Sequence, residues 1–372
     1  FMNASEQSQY DHIVIGGGAM GSATAWQLAK RGRSVLLLEQ FTHNHVSGSS
    51  HGGTRIFRLG HEQKTYTTLG IAALDLWREL EAESNETLVE LIGHVDHGPA
   101  EVVADIESNL KAQGLACERM SPEQANQRWP GITFDANVVY SPDGGRAHAQ
   151  RTVDTLWRRI IELGGEIWDN TKVESVEIDG EYAIIETANQ TLRTKSVVVS
   201  AGAWLPRLIG HHVSLRPLHA VRAQPSHFAP RPGFDDIDMW PTFIHRGLSA
   251  QPEVENSWYG LWTPGEGVKV GSHLVHDELD LDNRSFEVNR KFESALQKYV
   301  AQWYPGLDAD KVTSTTCIYT NEPNEHFILD RKGPLTVCSP CSGHGFKYVP
   351  AIGKITADLA MGGTQSVKEW QF

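Results

Sequence analysis

The segment His12–Gly21, HIVIGGGAMG, decides the fold. Its first four residues form a short run typical of a buried parallel strand, and this run leads directly into a glycine-rich turn. Ser22–Arg31 has the pattern of a helix that packs on a sheet, and 34–39 (SVLLLE) is a second apolar strand that ends in an acid. Strand, glycine turn, helix and strand in this order predict a Rossmann-like dinucleotide-binding domain.

The three glycines of the turn have separate predicted roles. Gly16 permits the tight turn, Gly18 lets the backbone approach a pyrophosphate, and Gly21 allows close packing of the helix on the strand. The helix N-terminus offers free N–H groups and a positive dipole end to phosphates. Glu39 is placed to accept hydrogen bonds from both ribose hydroxyls and to repel a 2′-phosphate. A glycine turn with a purely structural role is the alternative.

The glycine motif alone does not distinguish FAD from NAD. The segments 172–178 and 182–186 read as a pair of strands, and 194–204 reads as a later strand that ends in a turn of small residues. Two-domain FAD enzymes return to the nucleotide sheet after such a pair. This arrangement favours FAD, with an NAD-dependent dehydrogenase as the alternative.

Periodicity along the rest of the chain predicts two domains. Helices are expected at 65–83, 101–113, 151–164, 286–300 and 352–361, and the region 221–275 is strand-like. The predicted fold class is α/β plus α+β: a discontinuous Rossmann-like FAD-binding domain and a second domain built on an antiparallel sheet. We expect the first domain to comprise 1–88, 146–216 and 316–372. The substrate or catalytic domain is expected to comprise 89–145 and 217–315.

Composition limits the classes of partner. The 372 residues include 46 acidic and 33 basic side chains, so the formal net charge of −13 disfavours nucleic acid. No apolar run is long enough for a membrane span and no secretion signal is visible, so we expect a cytoplasmic protein without membrane association. Four cysteines do not make a disulfide framework. Cys338 and Cys341 form a C-x-x-C that could be redox-active or bind metal, but packing cysteines are favoured and no metal is expected.

Seven motifs along the chain resemble those of one flavoenzyme family in order and spacing. They are IVIGGGAMGSATAWQLAKRG (13–32), GSSHGGTRIFR (48–58), RWPGI (128–132), WYGLW (258–262), GVKVGSH (267–273), TTCIYTNEPNEHFILD (315–330) and SGHGFKY (342–348). Over essentially its full length the chain resembles the monomeric sarcosine oxidase and N-methyltryptophan oxidase family, whose members are FAD-dependent amine oxidases.

This resemblance implies where the cofactor is held. It implies that Cys317 carries FAD through an 8α-thioether, which would raise the reduction potential of the flavin. A buried cysteine that packs as a small hydrophobe is the alternative. The resemblance also places Val173, Gly343, Gly345 and Lys347 at the cofactor.

The resemblance further implies the roles of several polar residues. Arg58 and Lys347 would bind the substrate carboxylate, with a solvated surface charge as the alternative for each. Lys269 would lie over the flavin and promote its reaction with oxygen. Arg55 and His51 would lie beside the flavin ring and tune its charge.

Three residues are implied to line the substrate cavity, namely His273, Tyr259 and Tyr319. For His273 a satisfied core histidine is the alternative. The chain departs from the family pattern in four places: 50–55, where a second histidine and an aspartate are missing, 59–62, the bulky pair Trp258 and Trp262, and 339–341 (SPC), which stands in place of small apolar residues. Because of these departures, the resemblance does not determine which substrate is preferred.

The function implied is an FAD-dependent oxidase of a secondary amino acid, such as an N-methyl or N-alkyl amino acid. A hydride equivalent passes to flavin, water hydrolyses the imine, and oxygen is reduced to hydrogen peroxide. A fructosyl-amino acid (Amadori) oxidase, a cyclic imino acid oxidase and a non-catalytic flavin-binding module are the alternatives. The expected partners are a small carboxylate-bearing amine and oxygen, and a monomer is expected.

Overall fold

The computed structural model describes residues 10–247, 257–273 and 277–372. In this part of the chain the helices are α1 (Ala19–Lys30), α2 (Lys64–Ser84), α3 (Ala100–Ala112), α4 (Pro122–Arg128), α5 (Ala149–Glu162), α6 (Leu205–Ile209), α7 (Arg290–Trp303) and α8 (Val349–Ala360). The strands are β1 (His12–Ile15), β2 (Val35–Leu38), β3 (Thr54–Phe57), β4 (Val89–Glu90), β5 (His94–His97), β6 (Glu118–Met120), β7 (Val138–Ser141), β8 (Gly145–His148), β9 (Glu166–Trp168), β10 (Val173–Asp179), β11 (Tyr182–Thr187), β12 (Thr191–Thr194), β13 (Val197–Val199), β14 (His219–Ala223), β15 (Ser226–Pro230), β16 (Thr242–Arg246), β17 (Ser257–Thr263), β18 (Gly267–Ser272), β19 (Leu307–Ser314), β20 (Cys317–Asn321), β21 (Ile328–Lys332) and β22 (Leu335–Ser339).

A six-stranded sheet in the order β21-β22-β13-β1-β2-β9 forms the nucleotide-binding side. All neighbours are parallel except β21 and β22. Its central strands are buried on both faces, which explains their continuous apolar sequence. Val14 packs with α1 and α8 on one face, while Ile13 and Ile15 pack toward the β10-β11-β12 sheet on the other. The predicted Rossmann-like arrangement is confirmed.

Helix starts differ from the sequence-based expectations. Helix α1 begins at Ala19 rather than at 22, because Gly18 is already its extended N-cap residue. Helix α7 begins at Arg290 rather than at 286, because the side chain of Asn289 caps it by accepting a hydrogen bond from the Phe292 N–H at 3.2 Å. Helix α8 begins at Val349 rather than at 352, and a proline in its first turn needs no N–H partner.

An eight-stranded sheet in the order β19-β15-β18-β17-β16-β5-β7-β6 forms the second layer. It is antiparallel except for the β5–β16 pair, and α7 packs on it. All of its strands lie within 89–145 and 217–315, and all strands of the six-stranded sheet lie outside these segments. The boundaries themselves stay a prediction.

Two smaller sheets join the layers. One has the order β3-β8-β4, and the other pairs β14 with β20 so that Ala223 lies opposite Cys317. Both sheets pair strands from either side of the predicted domain boundaries, and both lie beside the cavity described below. Among the described residues, no helix combines the length and hydrophobicity needed to span a bilayer.

Candidate active site

A cavity of about 510 Å³ runs from the glycine turn after β1 to the faces of β17 and β18. Every predicted site residue lines it except Gly21, which lies behind the turn. The residues that the fold brings together are Gly16, Gly18, Glu39, His51, Arg55, Arg58, Val173, Tyr259, Lys269, His273, Cys317, Tyr319, Gly343, Gly345 and Lys347. Residues far apart in sequence therefore share one enclosed space.

The glycine turn leaves no room for a side chain at Gly16, Gly17 or Gly21, and at Gly17 the obstacle is the Trp157 ring, 2.8 Å from a Cβ. Gly16 has φ +107°, and a Cβ there would lie 2.2 Å from the carbonyl oxygen of Ser200. A Cβ at Gly21 would lie 1.9 Å from the carbonyl oxygen of Gly16. At Gly18 the only atom within 4 Å of a Cβ would be the Ser50 hydroxyl, at 3.2 Å, and Gly18 lines the cavity. The N-terminus of α1 consequently faces a space that a pyrophosphate could fill.

Glu39 also braces the glycine turn. One carboxylate oxygen accepts a hydrogen bond from the Gly17 N–H at 2.8 Å, and the other accepts one from the Phe41 N–H at 2.9 Å. Each oxygen keeps a second lone pair, so the predicted ribose contact remains compatible. Trp157 on α5 donates to the carbonyl oxygen of Gly17 at 3.0 Å, a contact that no sequence motif indicated.

Arg55 fixes the loop that precedes β3. Its guanidinium donates to the carbonyl oxygens of Thr54 and Ser49, each at 2.9 Å, and to that of His51 at 2.7 Å. Burial, and secondly the charge of Arg55, lowers the pKa of His51 to about 3, so its imidazole is neutral at physiological pH. The Nε2 atom of His51 is buried and has no hydrogen-bond partner among the described residues. A group bound in the cavity would satisfy it.

Lys269 on β18 is buried against the same strand. Its Nζ donates to the carbonyl oxygen of Thr54 at 2.7 Å. Burial, and secondly Arg55, lowers the pKa of Lys269 to about 7. The carbonyl oxygen of Thr54 thus accepts hydrogen bonds from both Arg55 and Lys269 at the cavity wall.

Strand β20 places a thiol and a phenol on the cavity wall. Cys317 is buried, with Sγ 4.0 Å from the carbonyl oxygen of Ser49. The hydroxyls of Tyr259 and Tyr319 are hydrogen-bonded to each other, and burial raises the pKa of both. A Cβ at Gly343 (φ +73°) would lie 2.8 Å from the Tyr319 ring, so glycine is required there.

The far wall of the cavity is polar on one side and aromatic on the other. His273 has Nε2 3.6 Å from a carboxylate oxygen of Glu325, and its side chain is partly exposed, so it is not a fully enclosed core histidine. Trp258 lines the cavity and stacks on Tyr299, with ring centroids 4.0 Å apart and planes inclined by 9°.

Arg58 and Lys347 both line the cavity, and a surface role is wrong for both because they are 7% and 5% exposed. Arg58 donates to the carbonyl oxygen of Gly60, and the Lys347 Nζ donates to that of His344 at 2.5 Å. Among the described residues, no carboxylate lies within 4.0 Å of either cation. Burial, and secondly Arg58, holds the pKa of Lys347 well below its usual value.

Sequence reasoning missed a third cation in this part of the cavity. Arg246 at the end of β16 lines the cavity and forms ion pairs with Glu62 and with Asp96, the latter at 3.5 Å. No sequence motif around Arg246 predicts this position, because it depends on how the end of β16 lies relative to the loop before α2. His344, by contrast, lies in the SGHGFKY motif (342–348), and its Nε2 donates a hydrogen bond to the carbonyl oxygen of Glu325 at 2.9 Å.

Comparison with known proteins identifies the family. The family model described as FAD dependent oxidoreductase (DAO) matches residues 11–359. The chain belongs to the DAO family of FAD-dependent oxidoreductases. Among its DAO-family relatives, monomeric sarcosine oxidase of Bacillus sp. (strain B-0618) is 32% identical, with 96% of this chain and 93% of the relative covered. Peroxisomal sarcosine oxidase of Homo sapiens is also 32% identical, with 96% and 94% covered.

A solved structure of an amino acid oxidase has a similar fold. The open form of NikD, an unusual amino acid oxidase essential for nikkomycin biosynthesis, superposes with a TM-score of 0.85 at 25% identity, covering 97% of this chain and 96% of that chain. The predicted family resemblance, the fold class and the FAD-dependent enzyme class are confirmed. FAD rather than NAD is the cofactor that the DAO family supports.

The C-x-x-C of this DAO-family chain is composed of two free thiols. Cys338 is buried and accepts a hydrogen bond from the Thr356 hydroxyl at 3.4 Å, and burial raises its pKa to about 11. Cys341 accepts from the Thr320 N–H at 3.3 Å, and burial raises its pKa as well. Protonated, hydrogen-bonded thiols suit packing better than redox or metal chemistry.

Proposed function

We propose that the protein oxidises a secondary amino acid, of the N-methyl or N-alkyl type, with FAD as electron acceptor and oxygen as final oxidant. The observation that carries this proposal is the buried pair Arg58 and Lys347, which face one cavity without a carboxylate partner among the described residues. Two such cations are costly unless an anion joins them, and a guanidinium fork matches a carboxylate. Relatives named sarcosine oxidases support the secondary amine.

FAD, when bound, supplies a two-electron acceptor that takes a hydride equivalent from the carbon next to nitrogen and passes electrons to oxygen. In this proposal the chain's own residues bind and orient the substrate and shield it from solvent. Arg58 and Lys347 hold the carboxylate, and the Tyr259–Tyr319 pair closes the wall near the amine. The resulting imine is hydrolysed by water, and hydrogen peroxide is released.

The residues near Thr54 fit the isoalloxazine end of the cofactor. His51 offers a buried ring nitrogen without a partner among the described residues. Arg55 provides positive charge beside it, and Lys269 adds a second charge when it is protonated. A cation held there favours developing negative charge on reduced flavin and on oxygen. Val173, Gly343 and Gly345 complete the lining that we assign to the cofactor.

Cys317 is the residue that we assign to a covalent 8α-thioether. Its sulfur is on the cavity wall, and the fold brings it next to the Ser49–His51 loop. Acid-precipitated wild-type protein should stay yellow, and Cys317→Ser should release its flavin to the supernatant. Cys117→Ser, at a partly buried position that does not line the cavity, is the matched control. A colourless wild-type precipitate would remove the covalent bond from the proposal.

The activity is tested with a panel of amines scored by hydrogen peroxide release. Sarcosine and N-methyl amino acids with larger side chains should be oxidised, and the corresponding primary amino acids should react more slowly. Cyclic imino acids and fructosyl amino acids test the other substrates compatible with this fold. If no member of the panel gives peroxide or bleaches the flavin in the absence of oxygen, the proposed function is wrong.

A further inference from the structure

The environment of Lys347 is unusual for a cation. Its Nζ has one hydrogen-bond acceptor among the described residues, the carbonyl oxygen of His344, and it lies 4.4 Å from the centre of the Tyr348 ring. Arg58 lies in the same buried space and has only the carbonyl oxygen of Gly60 as acceptor there. Two charges of the same sign in a low-dielectric cavity repel each other strongly.

Charged and titratable groups face this pair from several elements. They are Arg58, His61 and Glu62 in the segment between β3 and α2, Tyr66 on α2, His94 and Asp96 on β5, Arg246 on β16, Glu325 between β20 and β21, and His344 and Tyr348 in the same segment as the lysine. Glu62 is paired with Arg246, and Glu325 lies beside His273. Burial lowers the pKa of both His61 and His344, so these imidazoles are neutral at physiological pH. Among these residues no carboxylate forms an ion pair with Arg58 within 4.0 Å, and those of Asp96 and Glu325 act on it only from a longer distance.

A guanidinium does not lose its proton in proteins, whereas a buried lysine can. The least costly state of the empty cavity thus keeps Arg58 charged and Lys347 neutral. Burial, and secondly Arg58, holds the pKa of Lys347 well below its ordinary value, which agrees with this assignment. A substrate carboxylate would bring the missing negative charge and reverse the preference.

We propose that Lys347 is unprotonated in the empty site and takes up one proton when a carboxylate binds beside it and Arg58. The inference rests on the proposed function, since an amino acid arrives with its secondary amine protonated. The ammonium loses one proton, the amine of Lys347 gains one, and the net charge of the cavity with its substrate is unchanged. The substrate thereby becomes the free amine that can be oxidised, and no proton is released to solvent.

The test uses the flavin-containing protein and methoxyacetate, a carboxylate that has an ether oxygen in place of the amine and so brings no proton. Binding is followed by the change in the flavin spectrum and by calorimetry near pH 8 in phosphate and in Tris, below the ordinary lysine pKa. The dependence of the binding enthalpy on the buffer gives the number of protons taken up. Wild-type protein should take up close to one proton per site, and this uptake should disappear at acidic pH.

Variants test whether Lys347 is the group that takes up the proton when methoxyacetate binds. In Lys347→Arg the side chain stays charged, so methoxyacetate should bind without proton uptake, and Lys347→Met should also show none if it binds. Lys354→Arg, on the exposed side of α8, is the matched control and should keep the wild-type value. Wild-type binding without proton uptake, or full uptake in Lys347→Arg, would overturn the inference while leaving the proposed function intact. Failure of methoxyacetate to bind would overturn both.

Discussion

Replacing Arg58 by methionine is the sharpest test of the substrate site. Methionine keeps much of the apolar volume of the side chain but removes the guanidinium, which is 7% exposed and faces the cavity. Loss of one partner from a buried, hydrogen-bonded charge pair costs about 2 to 4 kcal/mol of binding. At about 1.4 kcal/mol per factor of ten, KM should rise by about 30- to 1000-fold.

The assay measures peroxide release against substrate concentration for the best amine of the panel. The bound flavin should keep its absorbance, because we assign Arg58 to the substrate and not to the cofactor. Loss of its hydrogen bond to the carbonyl oxygen of Gly60 should lower the free energy of unfolding by about 1 to 3 kcal/mol, which thermal melting would detect. Arg33→Met removes an exposed arginine and serves as control.

A second comparison separates carboxylate binding from general damage. The amide of the same substrate lacks the negative charge, so wild-type protein and Arg58→Met should handle it with similar kcat/KM. If KM for the acid changes less than twofold, or if acid and amide are affected equally, Arg58 does not bind the carboxylate.

Three further predictions concern the cofactor and stability. Gly21→Ala would place a Cβ 1.9 Å from the carbonyl oxygen of Gly16, so the purified variant should contain much less FAD, as measured by the ratio of flavin to protein absorbance. Lys269→Met should slow reoxidation of reduced flavin by oxygen by about 100-fold, with little change in anaerobic reduction, in stopped-flow measurements. Burial lowers the pKa of His51 and His245 to about 3, so each binds fewer protons folded than unfolded between that value and about 6.5. The free energy of unfolding should therefore fall on acidification through this window, by up to about 1.4 kcal/mol per pH unit for each histidine, and an unchanged urea midpoint between pH 6.5 and 5 would contradict it.

The local sequence was sufficient to predict those features that depend only on local backbone geometry. The turn at Gly16 and the packing at Gly21 follow from steric limits of the backbone, so the motif predicts them directly. Helix α7 was placed four residues too early, because apolar periodicity does not show that Asn289 caps it. The seven motifs located the cavity residues only through the resemblance to a known family.

Contacts between segments that are distant in sequence could not be predicted from the sequence. Arg246 reaches the cavity because β16 pairs in parallel with β5, and no pattern in 242–246 reveals that pairing. Glu325 adopts φ +59°, a backbone conformation that residues other than glycine rarely take, and one of its carboxylate oxygens lies 3.6 Å from Nε2 of His273. Trp157 supports the glycine turn from α5, more than 130 residues away in sequence. Tertiary pairing determined each of these positions.

The stacked pair Trp258 and Tyr299 separates the cavity from the aromatic core that packs on the eight-stranded sheet. A smaller residue at 258 would extend the available volume inward, toward packed side chains, and would cost about 3 to 5 kcal/mol of folding stability. Redesign for bulkier amines is therefore better directed at the rim than at this indole. The indole of Trp258 therefore determines both the width of the cavity and the packing of the eight-stranded sheet behind it.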